Sequence, residues 1–334
     1  MRSPMQLRPG RVPKSSTLDE AILIDRYFAR RSGARRDIVL GIGDDAAITR
    51  LAPGYDLVTA TDAIFEGVHF PRGTEPRALG HRCLAVNLSD LAAMGAEPLW
   101  ATLALSMPAA NGAWLQQFSR GLFALADTFG VALIGGDTVR GPLGMSVTVH
   151  GRVRPGCFVP RSGARPGDGL YVTGHPGDAV AGRLLLGSRR ARRGAESLRR
   201  RFLYPLPRVP EGTSLARIAS AMMDVSDGLH DDARKLLRAS GCGADLDAGS
   251  IPLSPELIRF AGIKAARELA LTGGDDYELL FAVPPKMEQR LRRLTGRWAC
   301  AVTRLGVITA RRGLRWHLGG KPFVFVDRTF RHFR

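Results

Sequence analysis

The sequence predicts a two-domain protein of the α/β (α+β) class, and three observations support this prediction. The chain has 334 residues, of which 45% are hydrophobic and 24% are charged, a globular composition that suits two domains of ordinary size. Apolar, β-rich runs alternate with stretches of helical periodicity. Residues 153–168 contain three prolines and three glycines, so we place a domain boundary near Pro155–Pro166.

This boundary separates an N-terminal domain at 17–154 from a C-terminal domain at 155–334. The basic residues at 1–16 are predicted to be a disordered tail. In the N-terminal domain, amphipathic spacing predicts helices at Leu18–Ser32, Arg77–Met94 and Ala113–Phe129. Strands are predicted at Asp37–Ile42, Asp56–Ile64, Ala101–Met107, Val131–Ile134 and Met145–Arg154. In the C-terminal domain, strands are predicted at Gly169–Thr173, Leu280–Val283 and Leu305–Ile308, and helices at Asp178–Leu186, Thr213–Ala221 and Leu229–Ser240.

The composition also excludes several classes of protein. No run approaches the roughly 20 apolar residues that a membrane span needs, and the tail has no apolar segment of the kind a signal peptide carries. The cysteines form no CxxC pair and lie far apart, at Cys83, Cys157, Cys242 and Cys300. This spacing argues against a zinc knuckle or a disulfide framework and predicts a cytoplasmic protein without a membrane partner.

The strongly basic charge has two interpretations. The 48 Lys and Arg residues exceed the 31 Asp and Glu residues, which gives a net charge of +17 and permits a nucleic-acid partner. However, 43 of the 48 are arginine, and the excess is spread along the chain. We interpret this as a compositional bias and predict no nucleic-acid partner, although the charge would also attract small anionic substrates.

The turn Gly41–Ala46 matches the G-x-G-x-x-A pattern of dinucleotide-binding proteins but is not expected to act as one. Asp44 and Asp45 stand where the backbone should approach a pyrophosphate, and the following residues do not form a helix pattern whose N-terminus could hold an anion. Two adjacent carboxylates on a glycine turn are better ligands for a cation.

Other acids lie where an apolar pattern does not need them. Asp62 ends an apolar strand, and Asp90 lies in the apolar stripe of a predicted helix, with Asn87 one turn earlier. Taken alone, Asp62 could cap a turn and Asp90 could be a structural acid. A buried carboxylate is nevertheless costly unless it meets a cation or hydrogen-bond donors.

Glycine turns carry the remaining acids. Asp137 follows Gly135-Gly136, and a similar acidic turn spans Gly273–Glu278. Asp224 and Asp227 flank Ser226 before a helix, where a simple N-cap would account for one of the three. The next two acids, Asp231 and Asp232, are in the first helical turn, where the dipole favours anions, so we expect them to be solvated.

Five separated acidic sites in one chain predict a common ligand rather than five caps. Oxygen ligands without His or Cys select hard cations, Mg²⁺ before Mn²⁺. Several Mg²⁺ ions together with an excess of arginine indicate phosphoryl transfer, in which catalysis consists mostly of positioning and charge neutralisation.

The motifs that carry these acids resemble those of the thiamine-monophosphate kinases, from about Leu18 to the C-terminus. The matching segments are GIGDDAA (41–47), TDAIFEGVHF (61–70), AVNLSDLAAMGAEP (85–98), LIGGDTVRGP (133–142), RSGARPGDGLYVTG (161–174), MDVSDGL (223–229) and LTGGDDYEL (271–279). The resemblance implies the aminoimidazole-ribonucleotide synthetase-like fold: two α/β domains, with a homodimer formed through the N-terminal mixed sheet. It also implies transfer of the γ-phosphoryl group of ATP to thiamine monophosphate, which gives thiamine diphosphate and ADP.

The resemblance further implies a role for individual residues. It implies Mg²⁺ ligands at Asp45, Thr61, Asp62, Asp90, Asp137, Asp224 and Asp227. It implies an ATP site at Gly136, Asp137, Arg161 and Ser226, and contacts with thiamine monophosphate at His69, Asp275 and Phe330. No general base is expected, because the acceptor phosphate is mostly a dianion at neutral pH.

Three positions depart from the family pattern. Ala60 stands where the family often has Ser, Asp275 where it usually has Glu, and Phe330 where it usually has Tyr. His69, beside an aromatic neighbour, could equally be a packed structural residue. The alternatives to this function are another ATP-dependent enzyme of the same superfamily and a basic nucleic-acid-binding protein, and the latter gives no reason for the acidic sites.

Overall fold

The computed structural model describes residues 20–29, 35–187, 194–327 and 329. The tail predicted at 1–16, Phe330 and residues 188–193 of the arginine-rich connection lie outside these residues. The helices are α1 (Glu20–Tyr27), α2 (Pro76–Ala93), α3 (Gly112–Phe129), α4 (Asp178–Leu186), α5 (Ala195–Leu203), α6 (Val209–Leu215), α7 (Leu229–Ser240), α8 (Pro255–Ala261), α9 (Ile263–Thr272) and α10 (Glu288–Thr295). The strands are β1 (Ile38–Leu40), β2 (Ile48–Thr49), β3 (Asp56–Phe65), β4 (Glu97–Met107), β5 (Ala132–Arg140), β6 (Gly144–Val153), β7 (Gly169–Thr173), β8 (Ala221–Val225), β9 (Gly243–Asp247), β10 (Glu278–Val283), β11 (Val302–Thr309), β12 (Gly313–Leu318) and β13 (Lys321–Pro322).

The N-terminal sheet has four strands in the order β3-β6-β4-β5. Only β4 and β5 are parallel, so the sheet is mixed, as predicted. The burial of alternate residues of β6 shows that one face of the sheet is covered. Met145, Val147 and Val149 are buried, whereas the residues between them are only half-buried. Helix α2 packs on β3 and β6, and α3 packs on α2.

The C-terminal sheet has seven strands in the order β13-β12-β9-β11-β7-β10-β8. All neighbouring pairs are antiparallel except β9 and β12. Every residue of β7, β8 and β10 is buried, which requires cover on both faces of the sheet. Helix α7 packs on β8, β9 and β10.

Helix α2 is shared by the two sheets, because it also packs on β8 and β10 of the C-terminal domain. Its side chains and those of both sheets form one apolar cluster. This explains why α2 is buried on nearly all sides rather than along the single stripe that the sequence predicts. Three polar residues of α2, Arg82, Asn87 and Ser89, are consequently buried inside the molecule.

Two predicted elements were wrong. The strand predicted at Val131–Ile134 continues through the glycine pair as β5, so Asp137 lies within a strand and not on a turn. Gly136 is needed because β4 approaches closely: a Cβ at this position would lie 1.9 Å from the Leu103 carbonyl oxygen. The helix predicted at Thr213–Ala221 ends at Leu215, and Ala221 begins β8.

Candidate functional site

A cavity of about 580 Å³ opens between the two domains, and we call it the interdomain cavity. Strand β3 contributes Asp62, and the loop that follows β3 contributes His69. The C-terminal domain contributes Ser226 and Asp227 from the turn after β8, and Asp275 from the glycine loop before β10. Five predicted site residues, from three separate motifs, therefore line one cavity.

A second cavity, of about 560 Å³, lies in the N-terminal domain, and we call it the N-terminal cavity. It is lined by the glycine turn with Asp45 and by the part of β5 that carries Gly136 and Asp137. The two cavities have no lining residue in common. The structure thus places Asp45 and Asp137 at a different cavity from Asp62 and Asp227, and does not gather all of the predicted ligands at one point.

Three predicted ligands, which lie between the two domains, affect one another electrostatically. Burial raises the pKa of Asp90, and the charges of Asp224 and Asp62 raise this pKa further. Burial also raises the pKa of Asp224 despite a hydrogen bond from Ser89 Oγ at 2.8 Å. The pKa of Asp62 is raised by burial and by the charge of Asp227. These carboxylates repel one another, which is the situation that a bound cation would relieve.

Helix α2 determines where two of these acids lie. Asn87 Oδ1 accepts a hydrogen bond from the backbone N–H of Asp62 at 2.8 Å, which fixes β3 against the helix. Ser89 is fully buried and reaches Asp224 on β8. Arg161, from the linker between the domains, lowers the pKa of both Asp90 and Asp224 through its charge. The predicted ATP-site arginine therefore lies near the acids.

Other predicted site acids already have cationic partners. Asp227 is paired with Lys235 of α7. Asp275 is paired with Arg82, whose side chain is only 1% exposed, and lies 3.8 Å from Arg183. A Mg²⁺ ion at Asp227, or a thiamine ring at Asp275, would have to share the carboxylate with these cations.

The remaining predicted residues have varied surroundings. Thr61 points to the other side of β3 from Asp62, where its hydroxyl donates to Thr148 Oγ1 at 2.8 Å. Nδ1 of His69 accepts a hydrogen bond from the backbone N–H of Phe65 at 3.0 Å, so one ring nitrogen has a structural role.

Asp232 contradicts the expectation of a solvated acid. Its side chain is 0% exposed, and its Oδ2 accepts hydrogen bonds from three successive backbone N–H groups, those of Ser226, Asp227 and Gly228. The helix dipole suffices to explain an acid at this position of a sequence. The local pattern therefore could not reveal that Asp232 also accepts hydrogen bonds from the preceding turn.

Arg82 is the functional candidate that sequence reasoning missed. Its guanidinium lies over the Phe202 ring at 4.2 Å, donates to the Phe202 carbonyl oxygen at 2.6 Å, and pairs with Asp275. It joins α2 of the N-terminal domain to the glycine loop of the C-terminal domain. In a chain with 43 arginines, nothing in the sequence distinguishes this one.

The donor chemistry of the site fits Mg²⁺, although its ligands are not yet gathered. Asp62, Asp90 and Asp224 offer carboxylate oxygens, and burial without an ion pair to a described residue makes ionisation of Asp90 and Asp224 costly. Within the described ranges, no three His, Cys, Asp or Glu side chains are grouped closely enough to hold a metal ion as they stand. Binding of one ion by all three would therefore require movement of these side chains.

Comparison with known proteins agrees with this arrangement. The family model "AIR synthase related protein, N-terminal domain" matches residues 43–153, and its C-terminal counterpart matches residues 165–319. Thiamine-monophosphate kinase of Salmonella typhimurium is 43% identical over 318 residues, which cover 94% of this chain and 98% of that protein. The same enzyme of Caulobacter vibrioides is 36% identical and covers 85% of this chain and 82% of its own.

Solved structures give the same result. The crystal structure of thiamine-monophosphate kinase from Stenotrophomonas maltophilia has a TM-score of 0.81 and 44% identity, and covers 86% of this chain and 93% of its own. AaThiL complexed with AMPPCP and TMP has a TM-score of 0.73 and 31% identity, and covers 85% of this chain and 89% of its own. Escherichia coli HypE, at 19% identity and a TM-score of 0.69 over 93% of this chain and 96% of its own, is similar in fold alone. This chain belongs to the thiamine-monophosphate kinase family, within the two-domain AIR synthase related proteins.

Proposed function

We propose that this chain transfers the γ-phosphoryl group of ATP to thiamine monophosphate, giving thiamine diphosphate and ADP. The observation that carries the proposal is that Asp62, Asp90 and Asp224, from both domains, lie near enough for their charges to raise the pKa of Asp90 and Asp224, and that none of the three has an ion pair among the described residues. Such an arrangement is unfavourable by itself and is useful if it receives cations. Both substrates are phosphate anions, and their approach needs this neutralisation.

The residues that would hold Mg²⁺ are Asp62, Asp90 and Asp224 at the domain boundary, with Asp45, Thr61, Asp137 and Asp227 as further ligands. When bound, Mg²⁺ would neutralise the phosphate groups of the two substrates. We assign the ATP phosphates to Gly136, Arg161 and Ser226, of which Gly136 lines the N-terminal cavity and Ser226 lines the interdomain cavity. The acceptor is already a dianion at neutral pH, so no residue needs to remove a proton from it.

Thiamine monophosphate is assigned to the interdomain cavity. His69 and Asp275 line this cavity, whose volume of about 580 Å³ is within the range of small-molecule sites. A carboxylate suits the cationic thiamine ring system, and Arg183 at the same cavity is near enough to hold the monoester phosphate. The predicted contact from Phe330 remains a proposal, since this residue lies outside the described part of the chain.

The decisive experiment incubates the purified chain with ATP, Mg²⁺ and thiamine monophosphate and measures thiamine diphosphate by chromatography. We expect product with thiamine monophosphate and at least about 100-fold less phosphorylation of unphosphorylated thiamine, which lacks the anion that the cations would hold. Equal rates with the two acceptors, or no product from either, would contradict the proposal.

We also propose that the protein forms a homodimer through the uncovered face of the N-terminal sheet. No helix of the described part of the chain packs on the face that carries Thr59, Thr61 and Thr148, and Leu57 of β3 is 52% exposed. Light scattering of the purified chain should therefore give twice the monomer mass.

The described cysteines are all free, which fits a cytoplasmic setting. No helix within the described ranges has the length and apolarity needed to span a membrane.

A further inference from the structure

The turn Ser226–Gly228, which follows β8, has its backbone N–H groups fully occupied from within the protein. The N–H groups of Ser226, Asp227 and Gly228 converge on Asp232 Oδ2 at 3.0, 2.9 and 3.2 Å. Successive N–H groups that converge on one point form a nest, which in many proteins binds a phosphate oxygen. Here the anion in the nest is the carboxylate of the protein itself.

The carbonyl side of the same turn is held by the glycine loop. The N–H of Asp275 donates to the Ser226 carbonyl oxygen at 2.9 Å, and the N–H of Tyr277 donates to that of Val225 at 2.8 Å. A Cβ on Gly274 would lie 2.3 Å from the Ser226 carbonyl oxygen, so the loop needs glycine there to approach so closely. The turn is therefore fixed from both sides.

Lys235 balances the charge in this arrangement. Its Nζ donates to Asp232 Oδ1 at 2.8 Å and also pairs with Asp227. The buried Asp232 thus has every oxygen occupied, one by the turn and the other by the ammonium group. In contrast, Asp231 makes no hydrogen bond to the turn, and its Oδ2 lies 3.6 Å from the ammonium group.

From this geometry we infer that Asp232 is a positioning residue for the phosphoryl transfer, an inference that rests on the proposed function. Because Asp232 fills the nest, the turn cannot bind a substrate phosphate through its backbone. Ser226 and Asp227 line the interdomain cavity, and their side chains are what the turn still offers to a ligand there. Because of Asp232, this turn can bind a ligand only through its side chains. By fixing the backbone of the turn, Asp232 also sets the direction in which Asp227 presents its carboxylate.

The test replaces Asp232 with Asn, using Asp231→Asn on the same helical turn as the matched control. Asn keeps one acceptor but loses the charge that the three N–H groups and Lys235 stabilise. For Asp232→Asn we expect Mn²⁺ affinity, measured by electron paramagnetic resonance without nucleotide, to fall about 10-fold, and kcat to fall 10- to 100-fold. The KM for thiamine monophosphate should stay within twofold, and Asp231→Asn should match the native chain within twofold in all three quantities.

A folded Asp232→Asn variant with native Mn²⁺ affinity and native kcat would overturn the inference. If this variant does not fold, hydrogen exchange of the native chain decides: slow exchange of the Ser226–Gly228 amides supports the inference, and exchange as fast as in the exposed turn Gly319-Gly320 overturns it. The Mn²⁺ measurement needs no turnover. A native chain that lacks kinase activity would therefore reject the proposed function separately, without being mistaken for failure of this inference.

Discussion

Two buried carboxylates on neighbouring strands have opposite surroundings. Glu278 begins β10 and Asp224 lies on β8. The Glu278 side chain and the Asp224 residue are each 6% exposed. Glu278 receives two hydrogen bonds from Arg208, both at 2.6 Å, and one from Thr173 Oγ1 at 2.6 Å. Among the described residues, Asp224 receives one hydrogen bond, from Ser89, and has no ion pair; the charges of Asp232 and Asp62 raise its pKa, whereas that of Arg161 lowers it.

The difference separates an acid that holds the fold from one that serves a ligand. A buried acid with an arginine and hydroxyl donors is satisfied within the chain, and removal of either partner is costly. A buried acid beside other acids destabilises the folded chain by itself. Binding of a cation stabilises the folded state and can offset this cost. The following predictions test whether Asp224 and Glu278 differ in this way.

The largest effect is expected from Asp224→Asn and Asp90→Asn. Each should reduce kcat by at least about 100-fold, because each removes a charge meant to hold a cation against the substrate phosphates. Each should also raise the metal-free melting temperature by a few degrees, since it removes a repelling buried charge, at roughly 2–4 °C per kcal/mol. Calorimetry in EDTA and a steady-state assay measure the two effects. Near-native activity of both variants would reject the role of these acids.

The next effect is expected from Glu278→Gln, which should behave in the opposite way. It leaves Arg208 buried without its counter-charge, so the free energy of unfolding should fall by about 3–5 kcal/mol in urea denaturation. The folded fraction at low temperature should retain kcat within about threefold. If Glu278→Gln instead lost activity as completely as Asp224→Asn while fully folded, the distinction between the two carboxylates would fail.

A third effect concerns pH. The pKa values of Asp90 and Asp224 are raised in the folded state, so the native chain binds more protons than the unfolded chain. The stability of the metal-free protein should therefore fall as pH rises from the ordinary Asp range through the raised values, and flatten above them. Melting temperatures at pH 6 and pH 8.5 measure this. The Asp90→Asn/Asp224→Asn double variant serves as the control, because it keeps the histidines and lacks only the two acids. Its decline with pH should be smaller than that of the native chain, and the difference between the two declines measures the contribution of the acids.

The sequence drew attention to the predicted site acids but not to the residues that contact them. Asp62, Asp90 and Asp224 stood out because a carboxylate in an apolar pattern has no local explanation. Asp232 did have a local explanation, the helix dipole, which concealed its bonds to the turn. Arg82 could not be predicted, because its burial depends on α2 lying between two sheets, and that contact joins segments about 200 residues apart in sequence.

The fold shows the same limit. Periodicity predicted the long elements well, and α3 and α7 end where glycine follows in the left-handed conformation. It was wrong at Asp137, because Gly-Gly in a sequence indicates a turn as readily as it indicates a strand that another backbone approaches. Only the position of β4 shows which of the two applies.

The smallest effect is expected from Arg183→Gln, at the edge of the interdomain cavity. Arg183 donates to the Val68 carbonyl oxygen at 2.9 Å and lies 3.8 Å from Asp275, so it joins α4 to the loop after β3. Its side chain is 36% exposed, and solvent screening keeps the contribution of such a charge small. We expect the KM for thiamine monophosphate to rise about three- to tenfold with kcat within twofold, and Arg183→Lys to recover part of the loss. Arg304→Gln, at an exposed ion pair away from the cavity, should change neither constant, and an equal effect from it would mean that overall positive charge, rather than this contact, attracts the substrate.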